Sequence, residues 1–206
     1  MVTRSAFGRR EDIYMDEKNG DPGQQTLTIQ QALDLALQHH AARRLHEAES
    51  LYKQILQADP NQPAVLHLLG VVAHQTGKNE NAVDLITKAL AITPDSHEAH
   101  NTLGLALKEL GNLDEAVASF KSAVAIKPDY IAAYYNLGKA LNDLGKLGEA
   151  LASYKEILAI NPDYADVHCS IGITFQKQGE LEEAIASYQK ALNINPDIAE
   201  AHYNLG

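Results

Sequence analysis

The feature that most constrains this chain is a repeat of 34 residues that runs through most of its length. One proline column recurs at this interval: Pro60, Pro94, Pro128, Pro162 and Pro196. Two glycine columns and one alanine column recur with it: Gly70, Gly104, Gly138, Gly172 and Gly206; Gly77, Gly111, Gly145 and Gly179; Ala48, Ala82, Ala116, Ala150 and Ala184. A fixed period of this size indicates a solenoid of stacked units, because each unit is too small to bury its own apolar face.

Each repeat has the pattern of two amphipathic helices joined by a short turn. In residues 97–130, apolar residues recur at helical spacing in two runs, which predict a helix A near 98–110 and a helix B near 114–127. Gly111 is a stop signal between the two helices, and Pro128 ends helix B. No strand-like alternation competes with this pattern, so the fold class is all-α.

A glycine inside helix A is an unusual choice. Gly104 costs about 1 kcal/mol relative to alanine in a helix interior, yet four complete repeats carry glycine there and the first carries Ala36. We attribute the glycine to a close approach of helices A and B, with Ala116 as the small residue on the opposite side.

The columns resemble the tetratricopeptide repeat family. Counting His97 as position 1, the shared pattern is Leu-Gly at positions 7 and 8, glycine at 15, alanine at 20, an aromatic residue at 24 and proline at 32. Five complete units and a partial sixth match in register: 29–62, 63–96, 97–130, 131–164, 165–198 and 199–206. The resemblance implies a right-handed superhelix of helix-turn-helix units that binds a protein or an extended peptide on its concave face.

The residues before the repeats form a separate segment. Residues 1–28 lack periodicity and mix glycine, proline and charged residues, so we expect a disordered leader. Translation could begin at Met1 or at Met15. Thr28 and Gln31 have the spacing of a capping box, which predicts that the first helix A begins here.

The two ends of the array depart from the consensus. The first repeat has His39 where the others have an apolar residue, and Arg43 in place of the turn glycine. Terminal repeats are often atypical because one side must face water. The sixth unit stops at Gly206, after its eighth residue. We therefore expect the chain to be a fragment of a longer protein.

Charge and hydropathy exclude several classes of function. The formal net charge of -10 argues against binding to nucleic acid and to anionic membrane surfaces. No apolar stretch approaches the roughly 20 residues that cross a bilayer, and the start of the chain lacks the apolar core of a signal peptide. The single Cys169 cannot form an internal disulfide. These features favour a cytoplasmic protein.

Neither catalysis nor metal binding is predicted. His97 and His100 are three residues apart on one helical face, but no cysteine or carboxylate cluster completes a zinc ligand set. Cys169 follows His168 directly, and adjacent helical residues point in different directions. We predict no catalytic residue, no cofactor and no metal site in this chain.

The predicted binding surface is the face of the A helices that the family resemblance places on the concave side. The resemblance builds this face from positions 2, 5, 6, 9, 12 and 13 of each repeat. The candidate peptide-binding residues are Asn101, Thr102, Lys108, Tyr135, Asn136, Lys139, Asn142, Ser170 and Asn204. Amide side chains suit a peptide backbone because they offer a donor and an acceptor together. We expect the lysines to favour acidic partners.

Two further hypotheses follow from the repeats. The motifs LGxAL in helix A and DEAVASF or EEAIASY in helix B are similar to the repeats of protein O-linked N-acetylglucosamine transferases. That similarity implies an alternative function, the substrate-recruiting region of a larger enzyme whose catalytic domain follows Gly206. Separately, four apolar residues at concave positions of repeats one and two predict self-association or docking of the leader: Leu33, Leu37, Leu68 and Val71.

Overall fold

The computed structural model describes residues 12–14 and 26–206, which contain two short strands and eleven α-helices. The strands are β1 (Asp12–Tyr14) and β2 (Thr26–Thr28). The helices are α1 (Ile29–Ala41), α2 (Leu45–Ala58), α3 (Pro63–Gln75), α4 (Asn79–Ile92), α5 (His97–Glu109), α6 (Leu113–Ile126), α7 (Ile131–Asp143), α8 (Leu147–Ile160), α9 (Ala165–Gln178), α10 (Leu181–Ile194) and α11 (Ala199–Leu205). The helices predicted within repeat three are confirmed, each shifted by one residue.

The chain divides into two compact units, Met1–Pro94 and Asp95–Gly206. In the first unit, α1 packs against α2 and α3 against α4, and the second helix of one pair also contacts the first helix of the next. The second unit repeats this arrangement with the pairs α5–α6, α7–α8 and α9–α10, followed by α11. Odd-numbered helices correspond to helix A and even-numbered helices to helix B.

The two strands were not expected. Ile13 pairs with Leu27 at the centre of an antiparallel ladder, and β1 lies beside α1 and α2. Both strands lie within residues 1–28, where we expect a disordered leader, and that expectation stays a prediction for the leader as a whole. Three residues in each strand are too few to show the alternation of apolar and polar residues that predicts a strand. The rest of the leader, including Met1 and Met15, lies outside the described residues.

The glycine inside helix A permits a close approach, as expected, but its neighbour is an aromatic ring. A Cβ added to Gly104 would lie 2.5 Å from Phe120, and one added to Gly138 would lie 2.4 Å from Tyr154. Phe120, the aromatic residue at position 24, is therefore the nearest side chain to Gly104, a contact beyond the expected Ala116. Ala116 is itself fully buried.

The capping residues and turn conformations at the helix ends are those that the sequence predicts. The capping box of Thr28 and Gln31 begins α1, with the Thr28 side chain accepting from the Gln31 amide. The turn glycines have left-handed backbone conformations, for example Gly111 at φ 80°, and Arg43 adopts φ 59° in the same place. Among the described residues, no helix is long and apolar enough to cross a membrane.

Candidate functional site

All nine predicted binding residues lie on helices of the second unit. Three are on α5, four on α7, one on α9 and one on α11. Helix α7 contacts both α5 and α9, so the A helices form a continuous row in this unit. We call the surface that carries these nine residues the A-helix face.

The A-helix face contains a pocket of about 140 Å³. Four of the predicted residues line it: Tyr135, Lys139, Asn142 and Ser170. Five residues outside the predicted set complete the lining: Asp143, Tyr154, Ile173, Lys177 and Glu200. The structure thus brings together hydroxyl, amide, ammonium and carboxylate groups from three successive A helices and from α8.

Asn142 is the centre of a buried polar network beneath this pocket. The residue is only 8% exposed, and its amide Nδ2 donates to the Thr174 hydroxyl at 2.8 Å. Its carbonyl Oδ1 accepts from the Lys177 ammonium, also at 2.8 Å. Both bonds join α7 to α9. The main role of Asn142 is therefore to join adjacent repeats. Breaking its bonds would leave a buried amide unpaired, which costs free energy of folding.

A second amide contact joins α5 to α7. Asn136 Nδ2 donates to Asn101 Oδ1 at 3.0 Å, and Asn101 is buried. This bond between repeats uses part of the hydrogen-bonding capacity of two predicted peptide-binding amides. Asn136 is half-buried, and this bond uses only its Nδ2.

Lys108 and Lys139 of the A-helix face have different electrostatic environments. Lys108 forms an ion pair with Asp143 at 3.1 Å, which neutralises its charge. Lys139 is exposed, and its ammonium lies 5.5 Å from the centre of the Tyr135 ring. That geometry is a cation–π contact, which holds the lysine and the tyrosine side by side.

Tyr154 forms the inner wall of the pocket. Its ring packs against Gly138 and lies near the Tyr135 ring, with 6.3 Å between ring centres. Burial raises the pKa of the Tyr154 phenol well above its ordinary value, and the side chains of Asn142 and Ser170 offset part of this rise by hydrogen bonding. The phenol is therefore a neutral donor at physiological pH.

Of the remaining predicted residues, Ser170 lines the pocket, whereas Thr102 and Asn204 do not. Thr102 is buried and its hydroxyl donates to the Glu98 carbonyl, whereas Ser170 donates to the Asp166 carbonyl within its own helix. Asn204 is half-buried on α11 and does not line the pocket.

Cys169 lies beside the pocket but has no nucleophilic character. Its thiol donates to the Glu200 carboxylate at 3.8 Å. Burial, together with the nearby Glu200 charge, raises the pKa of Cys169 to about 11, so the thiol is protonated at neutral pH. In the described ranges, no group of three or more histidine, cysteine or carboxylate side chains could hold a metal ion.

Sequence reasoning missed two important residues of the pocket. Tyr154 belongs to helix B, and the aromatic column identifies it as a core residue rather than as part of a binding face. Glu200 lies at position 2 of the sixth unit, next to a helix start, where a carboxylate usually serves the helix dipole. Only the packing of α11 beside α9 places Glu200 at the pocket.

Family comparisons agree with the repeat pattern and the helix pairs. The family model described as TPR repeat matches residues 106–145, 138–179 and 175–206. A second, described as tetratricopeptide repeat, matches residues 39–106. Together these matches extend without a gap from residue 39 to residue 206. The chain therefore belongs to the tetratricopeptide repeat family.

Solved structures show the same fold. The crystal structure of MamA is 26% identical with a TM-score of 0.75, and the match covers 84% of this chain and 94% of MamA. TTC0263, a thermophilic TPR protein of Thermus thermophilus, is 26% identical with a TM-score of 0.64, covering 85% of this chain and 96% of its own. YrrB, described as a TPR protein with an unusual peptide-binding site, is 24% identical with a TM-score of 0.74, covering 84% and 89%.

These matches confirm the all-α tetratricopeptide solenoid fold. It is a scaffold fold typical of protein–protein interaction. Comparison with curated proteins gives no match.

Proposed function

We propose that the chain is a non-catalytic scaffold that binds an extended peptide of a partner protein on the A-helix face. The observation that carries this proposal is the pocket formed by α7, α9 and α11 with Tyr154. Its lining offers a tyrosine ring for packing and neutral and charged groups for hydrogen bonding, on helices fixed by their neighbours. Most residues of the lining are polar or charged, and polar groups at fixed positions are what orients a bound ligand.

The pocket's contacts define which groups a peptide meets. Tyr135 and Lys139 present a ring and an exposed ammonium at the opening. Ser170 and Tyr154 supply hydroxyl oxygens to the lining of the pocket. Asn142 contributes mainly by fixing the distance between α7 and α9, since both ends of its amide are already bonded.

The expected preference for acidic partners rests on Lys139 and Lys177 rather than on Lys108. Lys108 is neutralised by Asp143, whereas Lys139 has an aromatic neighbour and Lys177 a neutral amide. Glu200 at the far side of the pocket balances part of this charge. We therefore propose a weak preference for a peptide with one acidic side chain near Lys139.

A selection from a phage-displayed library of random peptides tests the proposal. Peptides that bind the wild-type chain are measured by calorimetry against the double variant Tyr135→Ala, Lys139→Ala. We expect an affinity loss of about tenfold, equivalent to about 1.4 kcal/mol. The matched control is Tyr203→Ala with Lys155→Ala, which removes the same two residue types from exposed positions outside the pocket.

Two results would overturn this function. One is equal affinity of the selected peptides for the pocket variant and the control, with helicity intact by circular dichroism. The other is failure of the library to yield any saturable binder. Substituting Asn136 is a poorer test, because its loss would also leave the buried Asn101 without its donor.

A second candidate function remains the one implied by the helix motifs, a recruiting region for a larger glycosyltransferase. The alternative is decided by the sequence of the parent gene beyond Gly206. We also propose a cytoplasmic location, which immunolocalisation of the tagged protein would test.

Self-association through the first unit stays a prediction. Leu33 and Leu68 pack partly against the core of that unit, whereas Leu37 is 41% exposed. A mass that rises with concentration, and that Leu37→Gln abolishes, would support it.

A further inference from the structure

A second pocket lies in the first unit, between α2 and α4, with α3 as its floor. Its volume is about 220 Å³. The lining residues are Glu49, Lys53, Leu69, Ala73, Lys78, Asn81, Asp84 and Leu85. It is formed by helices B of two successive repeats, so it is separate from the A-helix face of the second unit.

The pocket exists because this part of the array departs from its own repeat. Ala73 occupies position 11, where the third and fourth repeats have the buried Leu107 and Leu141. The smaller side chain leaves an apolar space bounded by Leu69 and Leu85, which belong to the core of this unit or pack against it. The pocket therefore lies beside the position at which repeats three and four carry a leucine.

A charged residue departs from the repeat at the same place. Glu49 occupies position 21, where the next two repeats have Val83 and Val117. Its carboxylate accepts from Lys53 at 2.7 Å and from Lys78 at 3.0 Å, and its side chain is only 13% exposed. The hydrogen bond from Lys53 and, to a smaller extent, the one from Lys78 hold the pKa of Glu49 below its ordinary value. Glu49 is therefore ionised at neutral pH.

Two ammonium groups share this one carboxylate at the rim. Lys53 and Lys78 keep 58% and 46% of their side-chain surface exposed. Asp84, the fourth charged residue of the lining, is paired with Lys88 at 3.2 Å. The Glu49 cluster therefore has one positive charge in excess beside an apolar space. That combination attracts an anion that is attached to an aliphatic group.

The size of the pocket favours a single side chain. Small-molecule sites usually have volumes of roughly 300–1,000 Å³, and this pocket is smaller. We propose that it binds an aliphatic side chain of a partner protein, such as leucine, flanked by an acidic residue that pairs with Lys53 and Lys78. This docking point does not depend on peptide binding at the A-helix face.

Three short peptides test both parts of this specificity. The probes are acetyl-Glu-Leu-Glu-amide, acetyl-Glu-Ala-Glu-amide and acetyl-Lys-Leu-Lys-amide, each titrated into the full chain with methyl-labelled leucine and alanine. We expect saturable shifts of the Ala73, Leu69 and Leu85 methyl signals with the first peptide. Affinity should fall by about tenfold for the alanine peptide and for the basic peptide.

Two variants separate the apolar and the charged contributions. Ala73→Leu restores the residue of repeats three and four, so it should abolish the shifts and leave the thermal midpoint unchanged or higher. Ala152→Leu adds the same side chain at an exposed position and should leave binding unchanged. Lys53→Met with Lys78→Met keeps the aliphatic stems and should remove the discrimination between acidic and basic peptides.

The proposal is overturned by any of three results. They are no saturable shift with the acidic leucine peptide, equal affinity for the leucine and alanine peptides, or undiminished binding to Ala73→Leu. If Ala73→Leu does not fold, equal discrimination of acidic from basic peptides by the wild-type chain and the double methionine variant would also overturn it.

Discussion

At the scale of single residues, Arg43 shows how one position can depart from the repeat without changing the turn. Its φ of 59° lies in the left-handed region, where the corresponding Gly77, Gly111, Gly145 and Gly179 have φ between 73° and 82°. A side chain in this conformation costs roughly 1–2 kcal/mol relative to the right-handed region. The first repeat therefore carries local strain that the others avoid.

Replacing Arg43 with glycine should stabilise the chain. Relief of the left-handed conformation outweighs the roughly 0.5–1 kcal/mol of extra backbone entropy that glycine loses, so we expect a net gain of about 0.5–1 kcal/mol. Urea denaturation followed by circular dichroism measures it as a higher midpoint at unchanged slope. Arg44→Ala, next in the chain at φ -85°, controls for the lost charge. A midpoint that falls in Arg43→Gly would show that the arginine side chain contributes more than its backbone costs.

The strain at Arg43 can be predicted from the sequence because the turn column is glycine in the four following repeats. The partners of Asn101 and Asn142 cannot be predicted in this way. Their hydrogen bonds depend on the lateral register of adjacent A helices, which the repeat period does not specify. Both are expected to face a peptide, which stays a prediction, and in the structure both also form hydrogen bonds to the next repeat.

At the scale of helices, the contact between Gly104 and Phe120 determines how closely α5 and α6 pack. The added Cβ would lie 2.5 Å from the ring, and real Cβ atoms do not approach so closely without a shift. Phe120 is fully buried, so its ring has little space to move. The glycine at position 8 and the aromatic residue at position 24 therefore pack against each other within each of repeats three to five.

Gly104→Ala should destabilise the fold even though alanine is the better helix former. Overpacking a dense core costs typically 1–3 kcal/mol, against about 1 kcal/mol gained in helix propensity, so we expect a net loss of about 1 kcal/mol. Thermal and urea denaturation measure it. Gly148→Ala in α8 is the matched control, because a Cβ there meets nothing within 4 Å. It should be neutral or stabilising. The packing explanation fails if both variants shift stability in the same direction.

Helix boundaries were predictable because they follow from repeated local signals. The sequence placed helices A and B of repeat three within one residue of α5 and α6. The ladder of β1 and β2 was not predictable, since its two strands have no alternation beyond three residues. The contact of Gly104 with the Phe120 ring was not predicted, because only the small Ala116 was expected opposite the glycine.

At the scale of the whole molecule, stability should vary along the second unit. Helix α7 buries six residues, from Ala133 to Asn142, and contacts helices on both sides. Helix α11 buries only Ala201, while Tyr203 is 85% exposed and Leu205 37% exposed. In a repeat array each element is held mainly by its neighbours. The end of this unit therefore has fewer contacts to lose when it opens.

Hydrogen exchange should show this gradient directly. We expect amides of α7 to exchange only through global unfolding, and amides of α11 through local opening with protection lower by on the order of 100-fold. Ile198→Ala removes a side chain that packs against the core cluster of Cys169, Ala184 and Tyr188. It should lower protection in α11 further and leave α7 unchanged, because local opening of α11 does not require the α7 contacts to break. Equal protection of α7 and α11 at low protein concentration would mean that the second unit opens as one cooperative block.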